Sequence, residues 1–411
     1  MGYLKHAVKG VSWMASLRFL TRIVAFIRIA ILARLLGPVE FGIFGIASLV
    51  LSFLEIVTGT GVNTLLIQGE VDFDKYINTA WVVSIARGVL VFLIIYISAP
   101  FVSLFFNSPL SESVLRIVSL VAILRGLINP SIVRFQKDLE FKKEFWLRGS
   151  VFIVDSTVAV SLAFMTGAAV SLVWGLIAGV FAEIAISFMF VKPRPAFVFK
   201  FKQIRRVIKR GKWLTFTGVL NYMSNEGDDA VVGKVLNTAS LGVYQIAHKI
   251  SLLPLSEITV VVHKVTFPIY VRIAGDIKRL RKAYFRTLST TSLLVIPVGL
   301  ILILFPEKVI LILLGQKWLG AVGVLRILAV SGIVRAIMGT AGAVYLSLRR
   351  QEYTTVISVV RFLVILVSVV PLTLKYGIMG AGISSLLAVL STVPVNIYFL
   401  SRMLGEQDFG K

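Results

Sequence analysis

The sequence predicts an all-α integral membrane protein with about twelve transmembrane helices, in two pseudo-symmetric six-helix lobes around a central cavity. Three observations predict this class. The 411 residues are 57% hydrophobic and only 15% charged, whereas a soluble domain averages about 25% charged residues. The apolar residues form long runs of the kind that spans a bilayer. The two halves of the chain also resemble each other at an offset of about 200 residues.

Twelve segments are predicted as spanning helices because each offers about 20 residues with few charges. Their approximate limits are 11–36, 41–67, 78–98, 113–133, 146–166, 169–191, 213–234, 240–269, 286–305, 319–346, 353–374 and 377–401. Between the sixth and the seventh lies the connection Lys192–Lys212, with nine basic residues and no acidic residue. It is typical of a linker on the anionic inner membrane surface. The predicted division is an N-terminal lobe over 1–192, a linker over 193–212 and a C-terminal lobe over 213–411.

The distribution of basic residues predicts the orientation. With the N-terminus in the cytoplasm, the cytoplasmic segments hold 27 Lys and Arg residues, and the outer connections hold only Lys308, Lys317 and Lys375. Cytoplasmic connections concentrate Lys and Arg. We therefore expect a multi-pass protein of the cell (inner, cytoplasmic) membrane with both termini in the cytoplasm. The same distribution explains most of the net charge of +23 without nucleic acid as a partner.

No cofactor, metal site or catalytic site is predicted. The chain has no cysteine, and its three histidines, His6, His248 and His263, are widely separated. A thiolate site, a disulfide framework and a zinc-ligand spacing are therefore absent from the sequence. A P-loop, a nucleophile elbow and a dinucleotide fingerprint are absent as well.

An internal repeat relates the two halves. Leu115–Gly126 aligns with Leu325–Ala336, with five of twelve positions identical, and this alignment pairs Arg125 with Arg335. Trp13 likewise aligns with a tryptophan 200 residues later. Because six helices is an even number, both halves start on the same side of the membrane and form parallel repeats. Such repeats enclose a cavity, and rocking of the lobes gives alternating access to it.

Ionisable residues inside the spans form the predicted functional site, because a charge at mid-membrane costs at least ~2.5–3.5 kcal/mol unless it faces the bundle interior or water. Basic residues outnumber acidic ones by thirteen to seven in these spans, which favours an anionic substrate, and the planar fork of arginine suits phosphate. The predicted substrate-binding residues are Arg18, Arg22, Arg28, Arg87, Arg125, Arg335, Asn221, Tyr222 and Asn225. The candidates for ion coupling are Asp228, Asp229, Asp155 and Glu55. The alternative is that these groups pair off and only fix helix packing.

Several short motifs resemble one family of transporters. The run Leu35–Gly42 (LLGPVEFG) resembles the connection after the first helix of polysaccharide flippases, the O-antigen and exopolysaccharide exporters of the multidrug/oligosaccharidyl-lipid/polysaccharide superfamily. Phe135–Lys143 is similar to that family, as is the Asp228-Asp229 pair ahead of Val232. The resemblance covers essentially the whole chain. It implies twelve helices in two lobes, and an oligosaccharide on a polyprenyl pyrophosphate that is moved from the cytoplasmic to the outer leaflet.

The resemblance and the charge pattern together give the predicted function, a flippase for lipid-linked oligosaccharide in polysaccharide or lipopolysaccharide biosynthesis. We expect the arginines to contact the pyrophosphate, and Asn221, Tyr222 and Asn225 to contact the sugar. The expected partners are the lipid-linked oligosaccharide, membrane lipids, H⁺ or Na⁺ as coupling ion, and enzymes of the polysaccharide pathway.

Two alternatives stay open. One is a multidrug or metabolite exporter of the same superfamily driven by H⁺ or Na⁺, although an arginine-rich first helix does not suit a cationic drug. The other, less favoured, is a membrane glycosyltransferase or polymerase. Such enzymes generally need a sizeable loop outside the membrane, and the outer connections here are short. We therefore expect a transporter and not an enzyme.

Overall fold

The structure of the protein is a computed structural model that describes residues 22, 24–61, 66, 73–138, 140–198 and 201–405, with the backbone alone at 74, 75, 141 and 201–214. Within these residues the chain forms α-helices, two short 3₁₀-helices and no strand.

Long helices follow one another along the described chain, and each overlaps a segment predicted from the sequence. In the first half they are α1 (24–35), α2 (Pro38–Val57), α3 (Phe73–Phe105), α4 (Pro109–Leu127), α5 (Phe141–Thr166) and α6 (Val170–Phe190). In the second half they are α7 (Phe201–Val235), α8 (Thr238–Ile273), α9 (Ile277–Leu304), α10 (Val322–Gly339), α11 (Gln351–Tyr376) and α12 (Ile378–Leu404). Shorter helical pieces lie at Pro130–Val133, Arg134–Lys137, Pro306–Leu313, Gln316–Ala321 and Ala341–Ser347.

Nine helical segments of the described residues are long and apolar enough to cross a membrane. They correspond to α2, α3, α5, α6, α8, α9, α11 and α12, and to the stretch Gln316–Ser347, which includes α10. The three long helices outside this group are α1, α4 and α7, and α4 carries Glu112, Arg116 and Arg125. The count of twelve crossings therefore stays a prediction.

Large apolar side chains cover the outside of these helices. Phe101, Phe164 and Val367 are 70%, 79% and 75% exposed, respectively. In a soluble protein, side chains of this size are mostly buried, and a large contiguous apolar surface marks a membrane or a partner. The exposed apolar surface fits a chain surrounded by lipid.

Hydrogen bonds and glycines mark the starts and ends of helices in both halves. At the start of α2 the backbone N–H of Gly37 donates to Glu40 Oε2 at 2.9 Å. At the start of α8 the side-chain oxygen of Asn237 accepts a backbone N–H three residues on, at 2.8 Å. The helices α5 and α11 both end at a glycine with positive φ, Gly167 at 60° and Gly377 at 61°, a conformation that glycine adopts without strain.

The chain separates into two compact units, unit 1 over Met1–Val219 and unit 2 over Leu220–Lys411. Inside unit 1, α3 packs on α4, α4 on α6, α5 on α6 and α2 on α4. Inside unit 2 the equivalent pairs are α9 with α10, α10 with α12, α11 with α12 and α8 with α10. The matching pattern supports the predicted repeat. The predicted linker runs into α7, which is continuous across the boundary between the units, and the predicted domain limits stay a prediction.

The start of the predicted linker is held against unit 1 by hydrogen bonds. Ser131 Oγ donates to the carbonyl of Pro193 at 2.6 Å, and the side-chain amide of Asn129 donates to the same carbonyl at 3.4 Å. Further along, the backbone N–H of Ala196 donates to Asn78 Oδ1 at 2.8 Å. Pro193 and Ala196 therefore belong structurally to unit 1.

Candidate functional site

An ion pair joins the first and fifth helices of unit 1. Arg28 on α1 donates from Nη1 and Nη2 to the two carboxylate oxygens of Asp155 on α5, at 2.7 and 2.8 Å. The two side chains are only 17% and 12% exposed. The guanidinium also lies 5.6 Å from the ring centroid of Phe152, within cation–π range. On α6, a Cβ at Gly175 would lie 2.7 Å from Asp155 Oδ1, so the glycine leaves room for the carboxylate.

A second charged cluster joins α2, α3 and α4. Arg125 on α4 donates from Nη1 to both carboxylate oxygens of Glu55 on α2, at 2.8 and 2.6 Å. Arg87 on α3 donates from Nε to Thr58 Oγ1 at 3.1 Å and from Nη2 to the backbone carbonyl of Glu55 at 2.8 Å. Both hydrogen-bond acceptors of Arg87 are uncharged, while the carboxylate of Glu55 in the same cluster is bound to Arg125.

This second cluster faces a cavity of about 320 Å³ that lies wholly within unit 1. Arg87, Arg125 and Arg148 contribute positive charges to its lining, and Glu55 and Glu183 contribute negative ones. The remaining lining residues are Ser84, Gly88, Val91, Ala122, Gly126, Ile128, Pro130, Ile132 and Val133. The lining is therefore cationic by one charge, which favours an anionic occupant.

In unit 2, two arginines share one amide oxygen. Asn225 Oδ1 on α7 accepts from Arg335 Nη2 on α10 at 2.9 Å and from Arg361 Nη1 on α11 at 3.2 Å. The amide nitrogen of Asn225 donates to the backbone carbonyl of Asn221 at 2.6 Å. The Nε atom of Arg361 is buried with no hydrogen-bond partner among the described residues. Two guanidinium groups thus converge on an oxygen that carries no charge.

Two adjacent carboxylates lie one turn further along α7. Asp228 and Asp229 are both buried. Asp228 Oδ2 accepts from the hydroxyl of Tyr244 at 2.6 Å, and Asp229 Oδ2 accepts from Gln245 Nε2 at 2.8 Å. Both donors come from α8 and are uncharged. In the part of the chain that the structure describes, no group of three or more His, Cys, Asp or Glu side chains is placed to hold a metal ion.

Comparison with known proteins places this architecture in a family. Residues 31–323 match the model of the family described as "Polysaccharide biosynthesis protein", and the match covers more than half of the chain. The chain belongs to this family. Three of its relatives are named for glycan biosynthesis, and they come from widely separated organisms.

The lipopolysaccharide biosynthesis protein WzxC of Escherichia coli (strain K12) is 19% identical over 409 residues, which cover 99% of this chain and 83% of the relative. The teichuronic acid biosynthesis protein TuaB of Bacillus subtilis (strain 168) is 24% identical over 362 residues, which cover 85% and 72% of the two chains. The probable low-salt glycan biosynthesis flippase Agl15 of Haloferax volcanii is 21% identical and covers 92% and 80%.

Solved structures confirm the fold of this family member. The lipid II flippase MurJ in an inward closed conformation superposes with a TM-score of 0.76 at 18% identity, over 95% of this chain and 89% of that one. An inward-facing multidrug resistance transporter of the MATE family superposes with a TM-score of 0.70 at 14% identity, over 93% and 95%. The predicted all-α membrane transporter fold and the predicted resemblance to polysaccharide flippases are therefore confirmed, and the protein is a multi-pass membrane protein.

Within this polysaccharide biosynthesis family fold, the predicted site residues fall into separate clusters. Most have the partners given above, in unit 1 or in unit 2. Arg22 is exposed, Tyr222 is half-buried, and the backbone carbonyl of Asn221 accepts from Asn225. Arg18 lies outside the described residues. Substrate binding by any of these residues stays a prediction.

Several partners in these clusters are missing from the residues predicted from the sequence. Arg361, Thr58, Tyr244 and Gln245 complete the hydrogen bonds of the predicted residues. One signal was available for Tyr244, because the repeat aligns it with Phe44, so that its hydroxyl is a difference between the two halves. Arg361 also gave a signal, because it is a charged residue inside the predicted span 353–374. Thr58 and Gln245 gave none, since a partner on another helix leaves no trace in the local pattern.

Proposed function

We propose that this protein is a flippase that moves a polyprenyl-pyrophosphate-linked oligosaccharide from the cytoplasmic to the outer leaflet by alternating access. The observation that carries the proposal is that Arg335 and Arg361 donate to one uncharged oxygen, and that the cavity of unit 1 is lined by three arginines and two glutamates, in a member of a polysaccharide biosynthesis family. The names of the relatives, which include a probable glycan flippase, and the superposition on a lipid II flippase support it. We propose a transporter and not an enzyme.

The chemistry of the substrate fits these groups. A pyrophosphate offers several charged oxygens, and arginine binds such oxygens through its planar fork. In the proposed mechanism Arg87 of unit 1 offers such a group, as do, separately, Arg335 and Arg361 of unit 2, and the amide groups of Asn221 and Asn225 contact sugar hydroxyls. The prenyl chain stays in the lipid along the exposed apolar helix faces. An inside-negative potential favours outward movement of the anion by about 2.3 kcal/mol per charge and 100 mV if it crosses the full field.

For coupling to H⁺ or Na⁺, the favoured residues are Asp228 and Asp229. Each accepts a hydrogen bond from an uncharged side chain of α8. Asp155 and Glu55 are each paired with an arginine, and a proton on either one must break an ion pair. Of the four predicted coupling residues, Asp228 and Asp229 are therefore favoured over Asp155 and Glu55.

The orientation follows the basic connections. We propose that the connections after α4, α6 and α8 face the cytoplasm, with both termini on that side, because Lys and Arg concentrate there. We also propose the cell membrane as the location. Enzymes that build or polymerise the glycan are the proposed partners on its two sides.

The test uses the purified protein in liposomes loaded with a fluorescent lipid-pyrophosphate oligosaccharide. We expect protein-dependent appearance of the sugar in the opposite leaflet, measured with a membrane-impermeant quencher and faster under a potential that favours anion movement. Arg335→Gln removes this activity, whereas Arg326→Gln, an exposed arginine on the same helix α10, leaves it intact. Failure with several glycans, together with export of a small cationic dye, would overturn the proposal in favour of a multidrug exporter.

A further inference from the structure

The cavity inside unit 1 suits a small charged group. Its volume of about 320 Å³ is at the lower end of ligand pockets, which span about 300–1,000 Å³. Five of its lining residues are ionisable. The cavity is therefore matched to the head group of a substrate and is too small and too charged for a whole oligosaccharide.

The two ion pairs of unit 1 differ in geometry. Arg28 uses two nitrogens on the two oxygens of Asp155, which is the strong fork arrangement. Arg125 uses the single nitrogen Nη1 for both oxygens of Glu55. The side chains of Arg125 and Glu55 are 40% and 22% exposed, and an ion pair that is open to water is weak. We therefore expect the Arg28–Asp155 ion pair to stay formed, and the Arg125–Glu55 ion pair to open readily so that Arg125 can bind another anion.

Glu55 is bound by two of the three arginines that line the cavity. Its carboxylate is bound by Arg125 and its backbone carbonyl by Arg87. The carboxylate oxygens thus mark the positions at which the oxygens of an incoming anion would meet Arg125. The guanidinium of Arg87 lies beside them, because it is hydrogen-bonded to the backbone carbonyl of the same residue. The third arginine of the cavity, Arg148, lies 3.9 Å from Glu183, a distance too long for a strong charge-assisted hydrogen bond.

We propose that the cavity is a binding site for a phosphate-class oxyanion and that the Glu55 carboxylate is its internal competitor. When no anion is bound, the Glu55 carboxylate forms an ion pair with Arg125. An incoming pyrophosphate displaces this carboxylate and binds Arg125 and Arg87 together. The inference deepens the proposed function and rests on it for the identity of the lipid-linked ligand, while the oxyanion site itself is testable with a soluble anion.

The experiment measures binding of inorganic pyrophosphate by isothermal titration calorimetry to the full-length protein in nanodiscs of neutral lipid. Glu55→Gln removes the competing charge, and we expect it to bind pyrophosphate about tenfold more tightly than the wild type. The matched control is Glu112→Gln. Glu112 also pairs with an arginine of α4, Arg116, at 2.7 Å, but it lies outside the cavity lining. We expect no change in affinity for that variant.

The arginines provide the opposite test. Arg125→Gln and Arg87→Gln each weaken binding by at least about tenfold, and Arg116→Gln leaves it unchanged. Equal affinity in the wild type and Glu55→Gln, with both proteins showing a cooperative thermal transition, would overturn the role of Glu55. If Glu55→Gln does not fold, Arg87→Gln still decides, because it leaves the Glu55–Arg125 pair in place. Unchanged affinity in Arg87→Gln would then reject the site.

A competition arm distinguishes the source of the oxyanion. If a prenyl pyrophosphate in the nanodisc displaces inorganic pyrophosphate, the site takes the head group of a lipid. If inorganic pyrophosphate binds without such displacement, the site takes a free anion, and the oxyanion chemistry still stands. Absence of binding by both probes rejects the inference even where the liposome assay shows flipping. Pyrophosphate binding without flipping rejects the proposed function and leaves the site intact.

Discussion

Arg28 and Asp155 form a two-nitrogen, two-oxygen ion pair between helices α1 and α5, whereas the repeat-related helices α7 and α11 meet through Asn225 and Arg361. The two units differ in which helix of this contact carries the cationic side chain. In unit 1 the cation is on the first helix and the acid on the fifth, while in unit 2 the cation is on the fifth helix and its partner is neutral. The contact between the first and fifth helices is thus an ion pair in unit 1, whereas in unit 2 it joins an arginine to an uncharged amide.

The first prediction concerns the stability of the compensated contact. Asp155→Asn removes the charge that balances Arg28 in a mostly buried place, and we expect a loss of about 3 kcal/mol in the free energy of unfolding. The measurement is thermal unfolding in detergent, followed by intrinsic fluorescence. Asp138→Asn is the control, because its pair with Arg134 is exposed, and it is expected to change stability by less than about 1 kcal/mol. Equal transition temperatures for the two variants would contradict this assignment.

The second prediction concerns the shared oxygen of Asn225. Asn225→Asp places a carboxylate between Arg335 and Arg361, so we expect a higher unfolding temperature together with slower flipping, because the arginines are now neutralised. Flipping is followed in liposomes and stability in the same preparation. Asn78→Asp is the control, since its side-chain oxygen accepts from a backbone N–H and no arginine is involved. A variant that is stabilised and transports at the normal rate would remove these arginines from the substrate path.

The third prediction separates the four acidic residues proposed for coupling. Asp228→Asn or Asp229→Asn should abolish the acceleration of flipping by an ion gradient, because each removes a buried carboxylate whose hydrogen-bond donor is uncharged. Glu55→Gln should keep the gradient dependence. Initial flipping rates are compared with the H⁺ and Na⁺ gradients imposed and collapsed in turn. Retention of full gradient dependence in both aspartate variants would exclude this pair from coupling.

The helices of this fold were predictable from the sequence, whereas the partners of its charged residues were not. An apolar run of sufficient length defines a membrane helix wherever it lies, and helical periodicity places Asn221, Asn225 and Asp228 on one side of α7. Periodicity does not say what that side touches. In the structure Asn225 contacts α10 and α11, while Asp228 contacts α8, so one polar stripe divides between two environments.

The pairing of Arg28 with Asp155 shows the same limit. The two residues are 127 positions apart, and the sequence predicts Arg28 as a substrate-binding residue. Its charge is compensated by a residue that the sequence suggests for ion coupling. Whether a membrane charge is compensated depends on the packing of distant helices, which a single sequence does not encode in any local pattern.

The last prediction tests the close contact of α3 and α4, which forms one wall of the cavity. A Cβ at Gly126 would lie 2.7 Å from the carbonyl oxygen of Ser84, and one at Gly88 would lie 2.5 Å from the carbonyl oxygen of Ala122. Small residues allow membrane helices to approach this closely. Because the obstacle is backbone and cannot rotate away, Gly126→Ala should push the helices apart and cost about 1–3 kcal/mol of stability.

Gly149→Ala on α5 is the matched control for this substitution. A Cβ at Gly149 meets no atom within 4 Å, so the new methyl group adds only helix propensity, and we expect a gain of up to about 1 kcal/mol. Thermal unfolding of both variants gives opposite signs if the α3–α4 contact is as close as described. The same Gly126→Ala protein should also bind inorganic pyrophosphate more weakly, because moving α4 away from α3 separates Arg125 from Arg87. Normal stability and normal pyrophosphate binding in this variant would show that the cavity wall does not depend on the glycine contact.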